Sequence, residues 1–378
     1  MKFRLDLKSL TEAISVTAHA TAARGVKPIL ANLLITVNNN ELRFIGTDQE
    51  IMMICKAPAE VMSEGHFTIP AKLLQEIVSC IPGDEQPQVT FELASDDSPE
   101  VEIFSGRNRF NLAIQGIDDF PPVPVFEDEQ MESFSMPSAG FIKALKEAAI
   151  AVSTEEGNPV QRSICIDFSN PERPVLVATD SKRLAVTRIE NLQVPPAFQK
   201  VFIVPSRAIP ELQKILDAGE NVDVSLYKGQ LVFSSPNFQL ITRLVDGRFP
   251  DYNRVLPKES SRALKINRKE LAQALKAVGP IARNRNGLVN LDISNNETKI
   301  WSESKEQGKA EIYISSELQG DPINIAFNVK FIQDFINVIA DEQVILEMTT
   351  PSYPGLLKPG NLEADFKYVL MPMAYSEK

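Results

Sequence analysis

Asp180, Lys182 and Arg183 lie together in Ala178-Thr-Asp-Ser-Lys-Arg-Leu-Ala185, a carboxylate beside two cations, and Asp48 closes the related string Gly46-Thr-Asp48. An acid next to two bases is a combination that phosphoryl transfer uses, and a carboxylate alone can act as general acid or base. Either chemistry needs companions. Phosphoryl transfer requires a metal cluster or a phosphate cradle, and the sequence contains neither G-x-x-x-x-G-K-[ST] nor G-x-G-x-x-G. The two histidines, His19 and His66, have no partner at ligand spacing, which leaves no basis for a His-based metal site or a Ser-His-Asp triad. Cys55, Cys80 and Cys165 are isolated and odd in number, and read as buried small hydrophobes instead of disulfides or metal ligands. No metal and no cofactor is expected, and the carboxylates point away from an enzyme.

The elements around these residues support a structural reading. Val175-Leu-Val-Ala178 has strand character and Leu184-Ala-Val186 starts another strand, so Asp180 to Arg183 is predicted to be a hairpin turn. Gly46-Thr-Asp48 has the same setting. Two related copies in one chain suit a shared turn better than two active sites.

That duplication belongs to a longer repeat. The stretches starting at Phe3, Phe134 and Leu264 each alternate with period 2, pass a polar or proline turn, and then place apolar residues at helical spacing. Their starts differ by 131 and 130 positions, a comfortable domain size. A second strand-to-helix start lies inside each unit, at Phe67-Thr-Ile-Pro70, Phe202-Ile-Val-Pro205 and Ile325-Ala-Phe-Asn328. Alternating runs separated by turn residues follow, as in Leu33–Val37, Asn38–Asn40 and Glu41–Ile45, and read as antiparallel hairpins. Many strands and few helices in repeated groups predict an α+β fold, three domains each with two helices packed on antiparallel sheets. Proline-rich or charged connectors, Phe120–Gln130 and Pro250–Ser261, precede the second and third copies. They set the expected domains at 1–127, 128–258 and 259–378.

Composition narrows the class further. Of 378 residues, 43% are hydrophobic and 24% charged, ordinary for a folded chain. No apolar run reaches the roughly 18 residues of a membrane span, so no membrane partner is expected. The start, MKFRLDLKSL, lacks the apolar core of a signal peptide, which predicts a cytoplasmic protein. A net charge of -11 argues against coating nucleic acid with the whole surface while leaving room for a local basic face.

Lys27-Pro-Ile-Leu-Ala-Asn-Leu-Leu34, Gly46-Thr-Asp48, Ala178–Ala185, Leu244-Val-Asp-Gly-Arg-Phe-Pro-Asp-Tyr252 and Tyr368-Val-Leu-Met-Pro-Met373 together resemble the beta sliding clamps, the processivity subunits (DNA polymerase III beta) of bacterial replicative DNA polymerases. The likeness runs through all three repeats. It implies a non-catalytic protein that forms a head-to-tail dimeric ring of six similar domains, threaded by double-stranded DNA without regard to base sequence. It also implies docking of the replicative polymerase's catalytic subunit, the clamp loader, and other polymerases and repair proteins. A clamp-like scaffold paralogue with no role in processive replication is the alternative.

Carried over motif by motif, the resemblance assigns DNA contacts to Arg24, Lys72 and, more weakly, Arg207. It places a peptide groove at Thr179, Ser181, Arg183, Leu184, Pro250, Arg254, Val255, Val369, Met371, Pro372 and Met373, with Phe331 and Ser352–Pro354 at its flank. Methionine thioethers adapt to different apolar side chains, and an arginine can fix a peptide's polar end. Phe110 and Ile281 are the expected dimer contacts. Ser181-Lys182 replaces the Gly-His usual in this turn, Asn158–Arg162 departs from the family's tyrosine-containing loop, and Ala374–Lys378 extends past the usual end. In Tyr368–Met373, the first three residues are expected to pair in a sheet and Pro372 to interrupt it. Deleting the extension is expected to change peptide affinity only modestly.

Overall fold

The structure is a computed structural model describing residues 1–22, 27–82, 87–95, 98–124, 126, 131–361 and 363–375. The expected domain boundary at 127/128 and the DNA-contact candidate Arg24 lie outside the described residues. All six strand-to-helix starts are present: Lys2–Asp6 leads into α1 (Leu7–Ala18), Gly65–Pro70 into α2 (Ala71–Ser79), and Glu132–Pro137 into α3 (Ser138–Ala149). Val201–Pro205 precedes α4 (Ile209–Ile215), Arg262–Asn267 leads into α5 (Arg268–Arg283), and Ile323–Asn328 into α6 (Val329–Val338).

Three of the six starts are fixed by a side-chain cap. At α1, Ser9 N donates to the Asp6 carboxylate at 2.8 Å, which satisfies an amide the helix leaves unpaired. Leu10, Ala13, Ile14 and Thr17 then fall on the buried face at three- and four-residue spacing. Asn267 and Asn328 cap α5 and α6 in the same way. In the hairpins, Asn39 and Asn40 have φ of 50° and 60° and Lys228 and Gly229 have 46° and 78°, the left-handed pair that tight two-residue turns require. No described helix is long and apolar enough to cross a membrane.

The chain forms two compact units, and their limits do not follow the repeat period. The first comprises Met1–Ala139 and Arg207–Leu244. It holds a five-stranded and an eight-stranded antiparallel sheet, the latter continuous because Phe238–Arg243 of the middle repeat pairs with Ile51–Ala57 of the first. Phe3, Leu10, Phe44, Phe67, Leu74 and Phe91 fill its principal core.

The second unit comprises Gly140–Ser206 and Val245–Lys378. Its twelve-stranded sheet is continuous because Arg183–Arg188 of the middle repeat pairs with Phe366–Leu370 of the third. The middle repeat thus gives one sheet to each unit. Every strand edge left open by one repeat must find a partner or stay a liability, and here the partner is a strand of the neighbouring repeat. The cysteine expectation needs one correction: Cys55 and Cys165 are buried, but Cys80 is exposed. It caps the end of α2, two residues past Val78, the last of the inward-facing stripe of Ala71, Leu74 and Val78.

Candidate functional site

The turn at Asp180 is a tight hairpin between the strands Val175–Thr179 and Arg183–Arg188. The Asp180 Oδ1 atom accepts from the amides of Lys182 and Arg183, both at 3.0 Å. Thr179 Oγ1 donates to Arg183 O at 2.8 Å. Thr179 and Asp180 therefore spend their side chains on holding the turn. Ser181 sits at φ 70°, a conformation that favours glycine, and its hydroxyl accepts from Gln161 Nε2 at 2.6 Å. Lys182 reaches Glu155 at 2.9 Å.

Arg183 is only 7% exposed and fully engaged. Its Nε donates to Asp180 Oδ2 at 2.9 Å, and its Nη1 donates to Asp334 Oδ2 at 2.6 Å and to the Tyr368 hydroxyl at 3.2 Å. The guanidinium also stacks over the Phe331 ring, 4.2 Å from its centre. Burial opposes this charge, and Tyr368, Asp334 and Asp180 outweigh it, holding the guanidinium above its ordinary pKa. Burial likewise pushes the Tyr368 hydroxyl up, against the pull of Arg183. A charge locked by two carboxylates and a ring is a fixed electrostatic post at the mouth of the turn.

Behind it lies an apolar floor. Leu184 and Val369 face each other across the strand pair and join Val160, Val177, Phe249 and Leu356 in one buried cluster. Tyr252 and Leu256 of the connector pack on the same cluster, and the Tyr252 hydroxyl donates to Asp167 Oδ2 at 2.8 Å. The lips are open: Met371 and Val255 are each 45% exposed, with Pro372 and Met373 half-buried and Pro250 and Arg254 exposed. Met371 N donates to Lys182 O at 2.9 Å, tying the methionine segment to the turn. The second unit thus collects these candidates around one ladder: floor, charged post and exposed sulfur-bearing lip. As expected, Tyr368, Val369 and Leu370 pair in the sheet, and the strand ends at Leu370, two residues before Pro372.

Sequence reasoning missed Val160 and Gln161 because the loop containing them departs from the family pattern. The apolar Val160 next to an amide was the only local signal. The missed carboxylate partner of Arg183, Asp334, stands on α6, 151 residues away, and carries no signal in the turn itself.

The other candidates are scattered. Lys72, on the first turn of α2, is 90% exposed, with Glu76 at 3.9 Å. Arg207 is committed internally: Nε donates to Asp48 Oδ2 at 3.1 Å, Nη1 to Glu211 Oε1 at 3.0 Å, and Nη2 to the His19 carbonyl. Phe110 is half-buried on Asn108–Ala113, the outermost strand of the five-stranded sheet, so one side of that strand is open to pairing within the described chain. Ile281 is half-buried in the last turn of α5.

Three family models of the DNA polymerase III beta subunit match in order along the chain: its N-terminal domain at residues 1–124, central domain at 135–251 and C-terminal domain at 253–374. A beta sliding clamp from Vibrio cholerae is 30% identical over 378 residues, covering 99% of this chain and all of the relative. The chain belongs to the beta sliding clamp family. Among solved clamps, that of Bacillus subtilis superposes with a TM-score of 0.90 at 26% identity, over the full length of both chains. A Pseudomonas aeruginosa clamp, solved bound to griselimycin, gives 0.90 at 26% identity over 99% of each chain. The chain thus shares the three-domain α+β fold of these solved clamps.

Proposed function

We propose that the chain is a DNA sliding clamp, a non-catalytic processivity subunit that closes as a head-to-tail dimer around duplex DNA and docks its partners through the groove at Arg183 and Met371. The observation that carries this reading is the ordered match of all three beta-subunit domains over nearly the whole chain. Topological tethering asks little of the channel. Contacts to phosphate that are few and water-mediated keep sliding barriers low, and an acidic chain of net charge -11 limits adhesion to DNA from outside.

Within that reading, Lys72 offers an unburied charge to the phosphates. Arg24 is proposed for the same role on the family resemblance alone, whereas Arg207 contributes mainly by holding Asp48 and Glu211. Phe110 and the open strand that carries it meet the Ile281 region of the second copy. The groove accepts short apolar peptide segments from the replicative polymerase, the clamp loader and repair proteins, and it is also where griselimycin would bind. Work on DNA in this way places the protein in the cytoplasm.

The test is topological. With a clamp loader, the purified protein is expected to stay on circular nicked DNA and to be lost when that DNA is cut once. Retention that ignores linearisation would eliminate the encircling mechanism and favour a scaffold that does not slide.

A further inference from the structure

The described residues after the last strand, 371–375, lack any ladder of their own, yet they are tied at three points. Met371 N donates to Lys182 O at 2.9 Å and Met373 N donates to Ala326 O at 2.8 Å. The third tie is Tyr375. Its ring stands edge-on to Trp301, with centroids 6.1 Å apart and planes at 89°, and its hydroxyl donates to Asp292 Oδ1 at 2.5 Å.

That seat is built independently of the tyrosine. Asp292 Oδ1 also accepts from Trp301 Nε1 at 2.9 Å, and the indole is 1% exposed. The Lys299 and Lys309 ammonium groups stand 5.4 and 5.3 Å from the indole centre, and Glu311 bridges both lysines at 2.7 and 2.5 Å. A rigid, charge-balanced shelf therefore receives one side chain from the segment beyond the methionines. Pro372 has no amide hydrogen to contribute, so the order of Met371-Pro372-Met373 depends on ties on either side of it.

We propose that Tyr375 is a positioning residue for the methionine lip of the groove: seated on Trp301 and Asp292, it holds Met371-Pro372-Met373 in its binding conformation from the far end. The inference rests on the groove reading above. A segment ordered in advance does not have to be ordered by the ligand, and affinity gains by the difference. It also sharpens the expectation for Ala374–Lys378, since any effect of deleting that extension should be reproduced by Tyr375 alone.

Trp301 is the only tryptophan in the chain, so its fluorescence reports on the seat. In the full-length protein, Tyr375→Ala is expected to change Trp301 emission and to speed amide exchange at Met371 and Met373. It should also weaken griselimycin binding, measured by calorimetry, about three- to tenfold, as losing one buried hydrogen bond and a ring contact implies. Tyr375→Phe, which keeps the ring on the indole, should recover part of that affinity. Unchanged affinity in Tyr375→Ala, with the parent chain binding normally, would overturn the positioning role and leave the groove standing. Lost affinity without faster exchange at the two methionines would also overturn it, since Tyr375 would then be touching the ligand directly. If the parent chain itself does not bind griselimycin, the groove reading fails, and this inference with it.

Discussion

The turns at Thr47–Ile51 and Thr179–Arg183 are one device used twice. In each, the threonine hydroxyl donates to the carbonyl at the far side, at 2.7 Å from Thr47 to Ile51 and 2.8 Å from Thr179 to Arg183. In each, one aspartate oxygen collects two amides, at 3.0 and 2.9 Å for Asp48 and at 3.0 Å twice for Asp180. Gln49 and Ser181 occupy the same left-handed position, with φ of 76° and 70°. The copies diverge at the residue that closes the turn. Ile51 goes into the core, and the second Asp48 oxygen is left to Arg207. At the other turn the closing residue is Arg183, which takes the second Asp180 oxygen itself and extends to Asp334 and Tyr368. The backbone scheme alone is therefore structural, and the proposed groove role attaches to Arg183, the side chain that stands where the first copy has Ile51.

Removing the two arginines should separate the roles most sharply. Arg183→Ala strands a carboxylate pair in a nearly closed site and is expected to cost about 3–5 kcal/mol, read by urea unfolding, together with loss of griselimycin binding. Arg207→Ala leaves Glu211 with Lys214 at 3.1 Å and Asp48 with its amides. It should cost about 1–2 kcal/mol and leave griselimycin affinity unchanged. Equal losses of binding from both variants would end the distinction between the turns.

Glycine in the left-handed position is a smaller probe. Gln49→Gly relieves a strained backbone at the expense of chain entropy and should add about 0.5–1 kcal/mol to stability. Ser181→Gly gains the same relief but gives up the bond from Gln161, worth about 0.5–1 kcal/mol, so its net change is near zero. If Ser181→Gly proves as stabilising as Gln49→Gly, then the Gln161 contact carries no weight in solution.

The strands that follow the turns give the smallest contrast. Their fifth residues are Cys55 and Thr187. Burial pushes the Cys55 thiol up to about 12, so it stays neutral throughout the working range. Thr187 donates to Glu147 at 2.5 Å, and burial raises the Glu147 carboxyl above its ordinary value of 4.5 despite that bond. The folded state then holds this proton more tightly than the unfolded chain. Its contribution to stability is complete below the ordinary carboxylate range and is lost as pH rises through the folded value. Glu147→Gln should flatten that slope and raise the melting temperature near neutrality, as a pH series of thermal melts will register.

Much of this was legible from the residues. The six strand-to-helix starts announce themselves because the apolar period changes at a capping residue or a proline, which is local chemistry. The turn at Asp180 was equally local. Pairing between repeats was not, because strands such as Phe238–Arg243 and Ile51–Ala57 carry no mark naming each other and join only through packing. For the same reason the burial of Arg183, through partners on α6 and the last strand, could not be read from its neighbours. Cys80 misled because its apolar surroundings in sequence lie on the opposite side of a helix end.

The pairing of Arg183–Arg188 with Phe366–Leu370 also bears on how the chain comes to be folded during synthesis. A ribosome delivers the middle strand some 180 residues before its partner, since Arg183 and Tyr368 are 185 positions apart. Until then the strand keeps an open edge and a buried-type arginine without its tyrosine. Such late-closing contacts slow folding and expose an aggregation-prone edge in the interim. The first unit closes its own bridge, Phe238–Arg243 to Ile51–Ala57, while the third repeat is still being made, so the nascent chain should become protease-resistant in two steps.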